Sequence, residues 1–122
     1  MSNRIFIVDD SKAMRMIVRR TLKQAGFGHY EVDEAVNGAD ALVKIRADAP
    51  RLVLSDWNMP DMSGYELLTK LREEKIEVPF AMITTEGTPE MRAKAAQAGA
   101  LFLIQKPFTP EELARAVGTV LK

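Results

Sequence analysis

The stretch that decides the fold is IFIVDDSKAMRMIVRRTLKQA, residues 5–25. It opens with an apolar run of strand length, Ile5 to Val8, and two aspartates end that run. Beyond them, mostly apolar residues recur at spacings of three and four, as on a one-sided helix; they are Met14, Ile17, Val18, Thr21, Leu22 and Ala25. The stretch therefore predicts one β-strand followed directly by one α-helix.

The same strand–helix unit recurs along the rest of the chain. Apolar runs predict four further strands, at residues 30–35, 52–54, 79–83 and 101–104. The segments between and after them have helical spacing, weakly around Ala41 and Ile45 and more clearly around Leu67 and Leu71. Two more helices are predicted, an alanine-rich one over 89–98 with Gly99 as its C-cap and a last one over 111–121.

Five such units predict an α/β fold of the (βα)5 type. Near-continuous apolar strands separated by helices indicate a five-stranded parallel sheet, covered on both faces and joined by right-handed crossovers. The expected architecture is a three-layer sandwich. With 122 residues, the chain has room for one domain, which we place at residues 1–122 with no output domain.

Composition and charge exclude several classes of protein. Lysine plus arginine and aspartate plus glutamate both number 17, so we expect no nucleic acid as the main partner. There is no cysteine and a single histidine, His29, which excludes zinc–thiolate and multi-histidine metal sites. The longest apolar run, residues 100–104, is too short to cross a bilayer. We therefore expect a cytoplasmic protein with no membrane insertion.

Polar side chains follow four of the five predicted strands. In a parallel sheet the carboxyl ends of the strands lie at one edge, where ligands bind. That edge should collect Asp9 and Asp10, Ser55 and Asp56, Thr84, Thr85 and Glu86, and Gln105, Lys106 and Pro107. Taken alone, the first aspartate pair could instead cap the first helix.

Three aspartates at one sheet edge repel each other unless a cation lies among them. Mg²⁺ suits such a site, because it takes carboxylate oxygens and keeps several waters. A lysine and a threonine beside the carboxylates would stabilise a transferring phosphoryl group. The chain lacks a Gly-x4-Gly-Lys-Ser/Thr loop and a Gly-x-Gly-x-x-Gly motif, so the phosphoryl donor should come from elsewhere and one aspartate should accept the group.

These residues resemble the receiver domain of two-component response regulators, over the whole chain. The resemblance rests on Asp9-Asp10, Asp56, Thr84 and Lys106-Pro107, in the family's order and at the same strand ends. Residues 55–60 with Gly64, residues 96–100 and residues 106–108 are similar to the chemotaxis-type, CheY-like members. The resemblance implies the flavodoxin-like strand order 2-1-3-4-5.

The resemblance also implies roles for individual residues. Asp56 would be the phosphoacceptor, and Thr84 and Lys106 would bind phosphoryl oxygens. Asp10, Asp56 and the Asn58 backbone carbonyl would ligate Mg²⁺ directly, with Asp9 acting mostly through water. The Lys106–Pro107 bond would be cis. Two polar residues, Asn58 and Glu86, would tune dephosphorylation.

One position departs from the CheY-like pattern. Leu103 stands where that group usually has a tyrosine or another aromatic that moves inward on activation. The switch would then consist of Thr84 and Leu103, with the neighbouring Phe102 on the opposite face of the strand.

The implied protein is a stand-alone response regulator, and a monomer. A histidine kinase would phosphorylate it, a phosphatase could reset it, and an effector protein, such as a flagellar motor switch protein, would bind it according to its phosphorylation state. It would phosphorylate and dephosphorylate only itself, and would not be an enzyme with an external substrate. Three alternatives stay open: a phosphorelay shuttle or phosphate sink, an aspartate-nucleophile phosphatase of the haloacid dehalogenase type, and a flavodoxin-like flavin carrier.

Overall fold

The computed structural model describes residues 3–121, in which strands and helices alternate throughout. The strands are β1 (Arg4–Val8), β2 (Glu31–Ala35), β3 (Leu52–Asp56), β4 (Phe80–Thr84) and β5 (Leu103–Gln105). The helices are α1 (Lys12–Leu22), α2 (Gly38–Ala47), α3 (Gly64–Glu73), α4 (Pro89–Ala98) and α5 (Pro110–Val117). A short π-helical turn, Lys23–Phe27, extends α1. The predicted (βα)5 organisation is confirmed.

The five strands form one parallel sheet in the order β2-β1-β3-β4-β5, as the resemblance implied. The register brings the ends of neighbouring strands level with each other. Val8 lies opposite Ser55, Asp56 opposite Ile83, and Thr84 opposite Gln105. Residues that directly follow the strands are therefore delivered to one edge of the sheet.

Alternate residues of each inner strand enter two separate cores, because successive side chains point to opposite faces of a sheet. Ile5 and Ile7 of β1 pack with residues of α1 and α5, whereas Phe6 and Val8 pack with residues of α2, α3 and α4. Many large side chains in these cores, Phe6, Ile7 and Phe80 among them, are less than 2% exposed. Helices α1 and α5 cover one face of the sheet and α2, α3 and α4 cover the other, which is the predicted three-layer sandwich.

Several predicted boundaries were wrong in detail. The third strand runs to Asp56 and not only to residue 54, and the fourth is Phe80–Thr84 where 79–83 was predicted. The second strand is Glu31–Ala35 and is not apolar: it is an edge strand whose side chains are alternately exposed and partly buried. The fifth strand begins at Leu103, because Leu101 is 56% exposed and only leads into the sheet. The last helix begins at Pro110 after the capping residue Thr109 and ends at Val117 before Gly118.

All five helices begin with a side chain that caps the backbone. The capping residues are Ser11, Asn37, Ser63, Thr88 and Thr109. Each accepts a hydrogen bond from a backbone N–H of the first helical turn, which would otherwise lack a partner. The caps fix where each helix leaves the carboxyl edge of the sheet. Among the helices of residues 3–121, none has the length and apolar character needed to cross a membrane.

Cationic side chains bind three outward-facing carbonyls of the two edge strands. On β2, Arg19 donates to the Val32 carbonyl at 3.3 Å and Lys44 donates to the Glu34 carbonyl at 2.9 Å. On β5, Arg92 donates to the Leu103 carbonyl at 3.2 Å. An edge strand otherwise presents a row of unpaired backbone groups. These three side chains therefore satisfy groups that the sheet itself leaves open.

Candidate functional site

Three aspartates meet at the carboxyl edge of the sheet. Asp9 and Asp10 follow β1, and Asp56 is the last residue of β3. One carboxylate oxygen from each lies within 4.8 Å of the others. Asp9 and Asp56 are buried, whereas Asp10 is exposed. The structure thus brings the predicted carboxylates together, with the most accessible one at the mouth of the site.

Asp9 is held by several backbone contacts. Its N–H donates to the Ala35 carbonyl of β2 at 3.2 Å, and its own carbonyl accepts from the Arg15 guanidinium at 2.6 Å. Its carboxylate oxygen Oδ1 accepts from the Ser11 N–H at 2.9 Å. The second oxygen, Oδ2, is left to face the site. Ser11 itself is the N-cap of α1, so helix capping and clustering use different atoms of this segment.

Lys106 supplies the positive charge of the site. Its Nζ lies 3.5 Å from Asp9 Oδ2 and 3.4 Å from Asp56 Oδ1, and its side chain is 12% exposed. Its backbone N–H donates to the Thr84 carbonyl at 2.7 Å. The Lys106–Pro107 bond is cis, as the resemblance implied. The ammonium group therefore bridges the two buried carboxylates.

Thr84 ends β4 beside this cluster and is fully buried. Its hydroxyl oxygen Oγ1 accepts a hydrogen bond from the Glu86 N–H at 3.2 Å. The Glu86 side chain and Asn58 are both exposed. The structure thus places one enclosed hydroxyl near the carboxylates and two solvent-accessible polar residues on the loops around them.

Leu103, the first residue of β5, and Phe102, which precedes the strand, pack on opposite faces of the sheet, as predicted. Leu103 packs against the core that α2, α3 and α4 cover. Phe102 packs against the core on the other face, with α1 and α5. Leu103 is therefore the residue of this pair that contacts the α4 side of the sheet.

Gly64 has a role that the sequence interpretation did not identify. It is the first residue of α3, and its N–H donates to the Trp57 carbonyl at 2.8 Å. A Cβ at this position would lie 2.2 Å from the Asp56 carbonyl oxygen, which is a direct overlap. Only glycine lets α3 begin this close to the backbone of Asp56.

A stack of side chains behind Asp56 was also not predicted. Trp57 is 9% exposed, and its ring lies parallel to that of Tyr65, with centroids 5.7 Å apart. The Lys94 ammonium of α4 lies 4.4 Å from the centre of the Tyr65 ring, within range of a cation–π contact. The stack joins the residue after Asp56 to helix α4. Its members come from the loop after β3, from α3 and from α4, so only the tertiary structure shows it.

Burial raises the pKa of the Asp56 carboxyl above its ordinary value. The charge of Lys106 opposes this and lowers the pKa, the neighbouring Asp9 raises it again, and hydrogen bonds from Lys106 and the Asn58 backbone lower it. Desolvation is the largest of these effects. Ionisation of the Asp56 carboxyl is therefore less favourable in the folded protein than in the unfolded chain.

This pKa shift predicts how stability depends on pH. Because the folded pKa is raised, stability falls as the pH rises from the ordinary, unfolded pKa through the folded one, and the ionised carboxylate keeps that cost at higher pH. Without Mg²⁺, Asp56→Asn should raise the free energy of unfolding at pH 7 by about 1 kcal/mol, a usual size for a stabilising substitution at a functional site. The gain should shrink as the pH falls and wild-type Asp56 takes up its proton.

Urea denaturation between acidic and neutral pH measures this difference. Asp61→Asn is the matched control, since Asp61 is an exposed carboxylate in the loop that follows β3. Its effect should stay small across the range. An Asp56→Asn protein less stable than wild type at pH 7 would contradict the prediction.

The donor set fits a hard divalent cation. Three carboxylates carry three negative charges and the Lys106 ammonium offsets one of them, so the cluster keeps a net negative charge. All the nearby ligand atoms are oxygens, which Mg²⁺ prefers over nitrogen and sulfur. The exposure of Asp10 leaves room for the water molecules that Mg²⁺ keeps.

The comparisons with known proteins agree on one family. The family model of the response regulator receiver domain matches residues 5–118. Chemotaxis protein CheY1 of Helicobacter pylori is 40% identical, over 97% of this chain and 96% of its own. The CheY homolog of Campylobacter jejuni is 39% identical, over 97% of this chain and 92% of its own. The structure of Vibrio cholerae CheY4 superposes with a TM-score of 0.86 at 36% identity, over 99% of this chain and 100% of that one.

Proposed function

The chain belongs to the response regulator receiver domain family and is CheY-like, and on that basis we propose that it is a phosphorylation-dependent signalling protein. In this proposal Asp56 accepts a phosphoryl group from the histidine of a kinase, in a reaction that requires Mg²⁺. The phosphorylated chain then binds an effector protein. The observation that carries the proposal is the contact of Lys106 with both Asp9 and Asp56 at the edge of the sheet.

The chemistry is a displacement at phosphorus. An Asp56 carboxylate oxygen attacks the phosphorus atom, the bond from phosphorus to the donor's imidazole nitrogen breaks, and that nitrogen keeps the electron pair. Asp10, Asp56 and the Asn58 carbonyl would hold Mg²⁺ directly and Asp9 would act mostly through water. When bound, Mg²⁺ supplies positive charge to the transferring phosphoryl oxygens.

Lys106 and Thr84 would bind the product. The Lys106 ammonium is shared between Asp9 and Asp56, and phosphorylation removes a full carboxylate charge from Asp56 while adding phosphoryl oxygens beside it. The ammonium group would then bind the phosphoryl oxygens with little movement. The Thr84 hydroxyl proton is not used by its contact with Glu86, where Thr84 is the acceptor, so it can be donated to a phosphoryl oxygen.

The acyl phosphate should be short-lived. Water must reach the phosphorus on the side away from the carboxylate, and Asn58 and Glu86 are both polar and exposed at this edge. Neither would block that approach as a bulky apolar side chain would. The proposal therefore assigns these residues to tuning the lifetime, as suits a transient signal.

The output would be a change of population between two states of the fold. Thr84 would shift toward the phosphoryl group, and Leu103, which packs toward α4, would adjust its packing without the hydrogen bond that a tyrosine could offer. The effector in this proposal is a protein of the chemotaxis pathway, such as a flagellar motor switch protein, because the relatives named above are chemotaxis proteins. A phosphorelay shuttle or phosphate sink would use the same site without such an effector.

Intact-mass spectrometry tests this function. With Mg²⁺ and acetyl phosphate, the wild-type protein should gain a single phosphate and lose it again once the donor is removed. EDTA should prevent the gain. Sustained release of product from p-nitrophenyl phosphate would instead support the rival aspartate-nucleophile phosphatase, and no phosphate uptake at all would contradict the proposal.

A further inference from the structure

The loop between β4 and α4, residues 85–88, is held by two side chains from outside it. Arg92 of α4 donates through Nε to the Gly87 carbonyl at 3.2 Å, and through a second nitrogen to the Leu103 carbonyl of β5 at 3.2 Å. Gln105 of β5 donates to the Thr85 carbonyl at 3.4 Å. The loop is thus tied to the edge strand of the sheet by hydrogen bonds to its backbone.

These side chains pack closely against the loop. A Cβ on Gly87 would lie 2.8 Å from the side-chain oxygen of Gln105 and 3.0 Å from an Arg92 guanidinium nitrogen. Arg92 is exposed, so burial does not account for its position. Its two donated hydrogen bonds, both to backbone carbonyls, are what place it.

The loop begins directly after Thr84, the hydroxyl that the proposed function uses. Thr84 Oγ1 accepts from the N–H of Glu86, which is itself a loop residue. The orientation of that hydroxyl is therefore linked to the backbone that Arg92 holds. A movement of Thr84 toward a phosphoryl group would carry the loop backbone with it and strain or break the contact from Arg92 to Gly87.

We propose that Arg92 is a positioning residue that holds this loop, and through it Thr84, in the resting state of the site. The inference rests on the proposed function and adds a chain-specific element to it. A contact that exists in one of two states favours that state by its own net free energy. Loss of the Arg92 contacts should therefore make the phosphorylated state, or a mimic of it, easier to reach.

Trp57 provides the measurement, because it is the one tryptophan of the sequence and directly follows Asp56. Its fluorescence is followed while beryllofluoride, which mimics an acyl phosphate, is titrated at saturating Mg²⁺. Arg92→Ala should bind beryllofluoride about fivefold more tightly than wild type, the factor that one net hydrogen bond provides. Arg92→Lys, which keeps a cationic donor, should restore part of the wild-type value.

Arg115→Ala is the matched control. Arg115 lines the same surface groove as Arg92 but belongs to α5, so its loss removes an equal charge without touching the loop. Its beryllofluoride affinity should stay within about twofold of wild type, as for an ordinary surface substitution. An equal gain in Arg115→Ala would overturn the proposal, because the effect would then be one of charge alone.

The remaining outcomes separate this inference from the proposed function. Wild-type protein that shows no Mg²⁺-dependent beryllofluoride response would overturn both. A normal wild-type response with unchanged or weaker binding in Arg92→Ala would overturn only the role of Arg92. Urea denaturation of the same variants completes the test, since a merely structural role would lower stability without raising the affinity.

Discussion

Asp56→Asn should take up no phosphate from acetyl phosphate and Mg²⁺ under conditions in which the wild-type protein is fully labelled. Asparagine has the shape of aspartate but lacks the anionic oxygen that would attack phosphorus. Asp56 is also the carboxylate that reaches the site from β3 and contacts Lys106 at 3.4 Å. Intact-mass spectrometry before and after incubation measures the effect, which should be complete loss of labelling.

Asp61→Asn is again the control for this experiment. It makes the same chemical change in the loop after β3, outside the cluster. Asp61 has a φ of 68°, a backbone conformation that asparagine also adopts readily. It should be labelled like wild type. Labelling of Asp56→Asn at another carboxylate of the cluster, located by peptide mapping, would show that the acceptor had been assigned to the wrong residue.

Lys106→Met should lower the free energy of unfolding more than any other substitution proposed for this protein. The substitution leaves Asp9 and Asp56 buried without the ammonium group that bridges them at 3.5 and 3.4 Å. Removing one partner of a buried ionic contact costs about 3 kcal/mol of unfolding free energy. Mg²⁺ should recover more stability in this variant than in wild type, because its charge can replace the missing one.

Urea denaturation with and without Mg²⁺ measures both effects. Lys44→Met is a suitable control, since Lys44 pairs with Asp40 on the surface and such pairs contribute about 0.5 kcal/mol. It should show no added response to Mg²⁺. If Lys106→Met lost as little as Lys44→Met, the ammonium would be a solvated surface charge and not the centre of the cluster.

The sequence was sufficient to predict which residues meet at the edge of the sheet. Asp9, Asp56, Thr84 and Lys106 all lie at strand ends, and the carboxyl ends of parallel strands share one edge whatever the details of packing. Their convergence therefore depends only on strand identity and direction. Both can be predicted from apolar runs separated by helical segments.

Elements and contacts that depend on tertiary position were not predictable in this way. β2 alternates exposed and partly buried residues, as suits a strand with one long side open to solvent. The apolar pattern alone does not tell which strand lies at an edge. The stacking of Trp57 on Tyr65, and of Tyr65 under Lys94, requires three elements to be packed at known distances.

The hydrogen bonds of Arg92 to Gly87 and Leu103 are a second case. In the sequence, Arg92 is one basic residue on an alanine-rich helix, with no motif around it. Its function, in our proposal, comes from the backbone carbonyls that it reaches, and these are contributed by a loop and by another strand. Such a role becomes visible only when donors and acceptors are placed in space.

The cationic side chains on the edge strands β2 and β5 limit how another polypeptide can bind to the sheet. A peptide or a second copy of the chain that joined the sheet by strand addition would need the backbone carbonyls of Val32, Glu34 or Leu103 as acceptors. Those oxygens already accept from Arg19, Lys44 and Arg92. An added strand would have to share these oxygens with a charged donor or displace it, at either edge of the sheet. Strand-by-strand polymerisation, the route to cross-β aggregates, is thereby opposed at both ends.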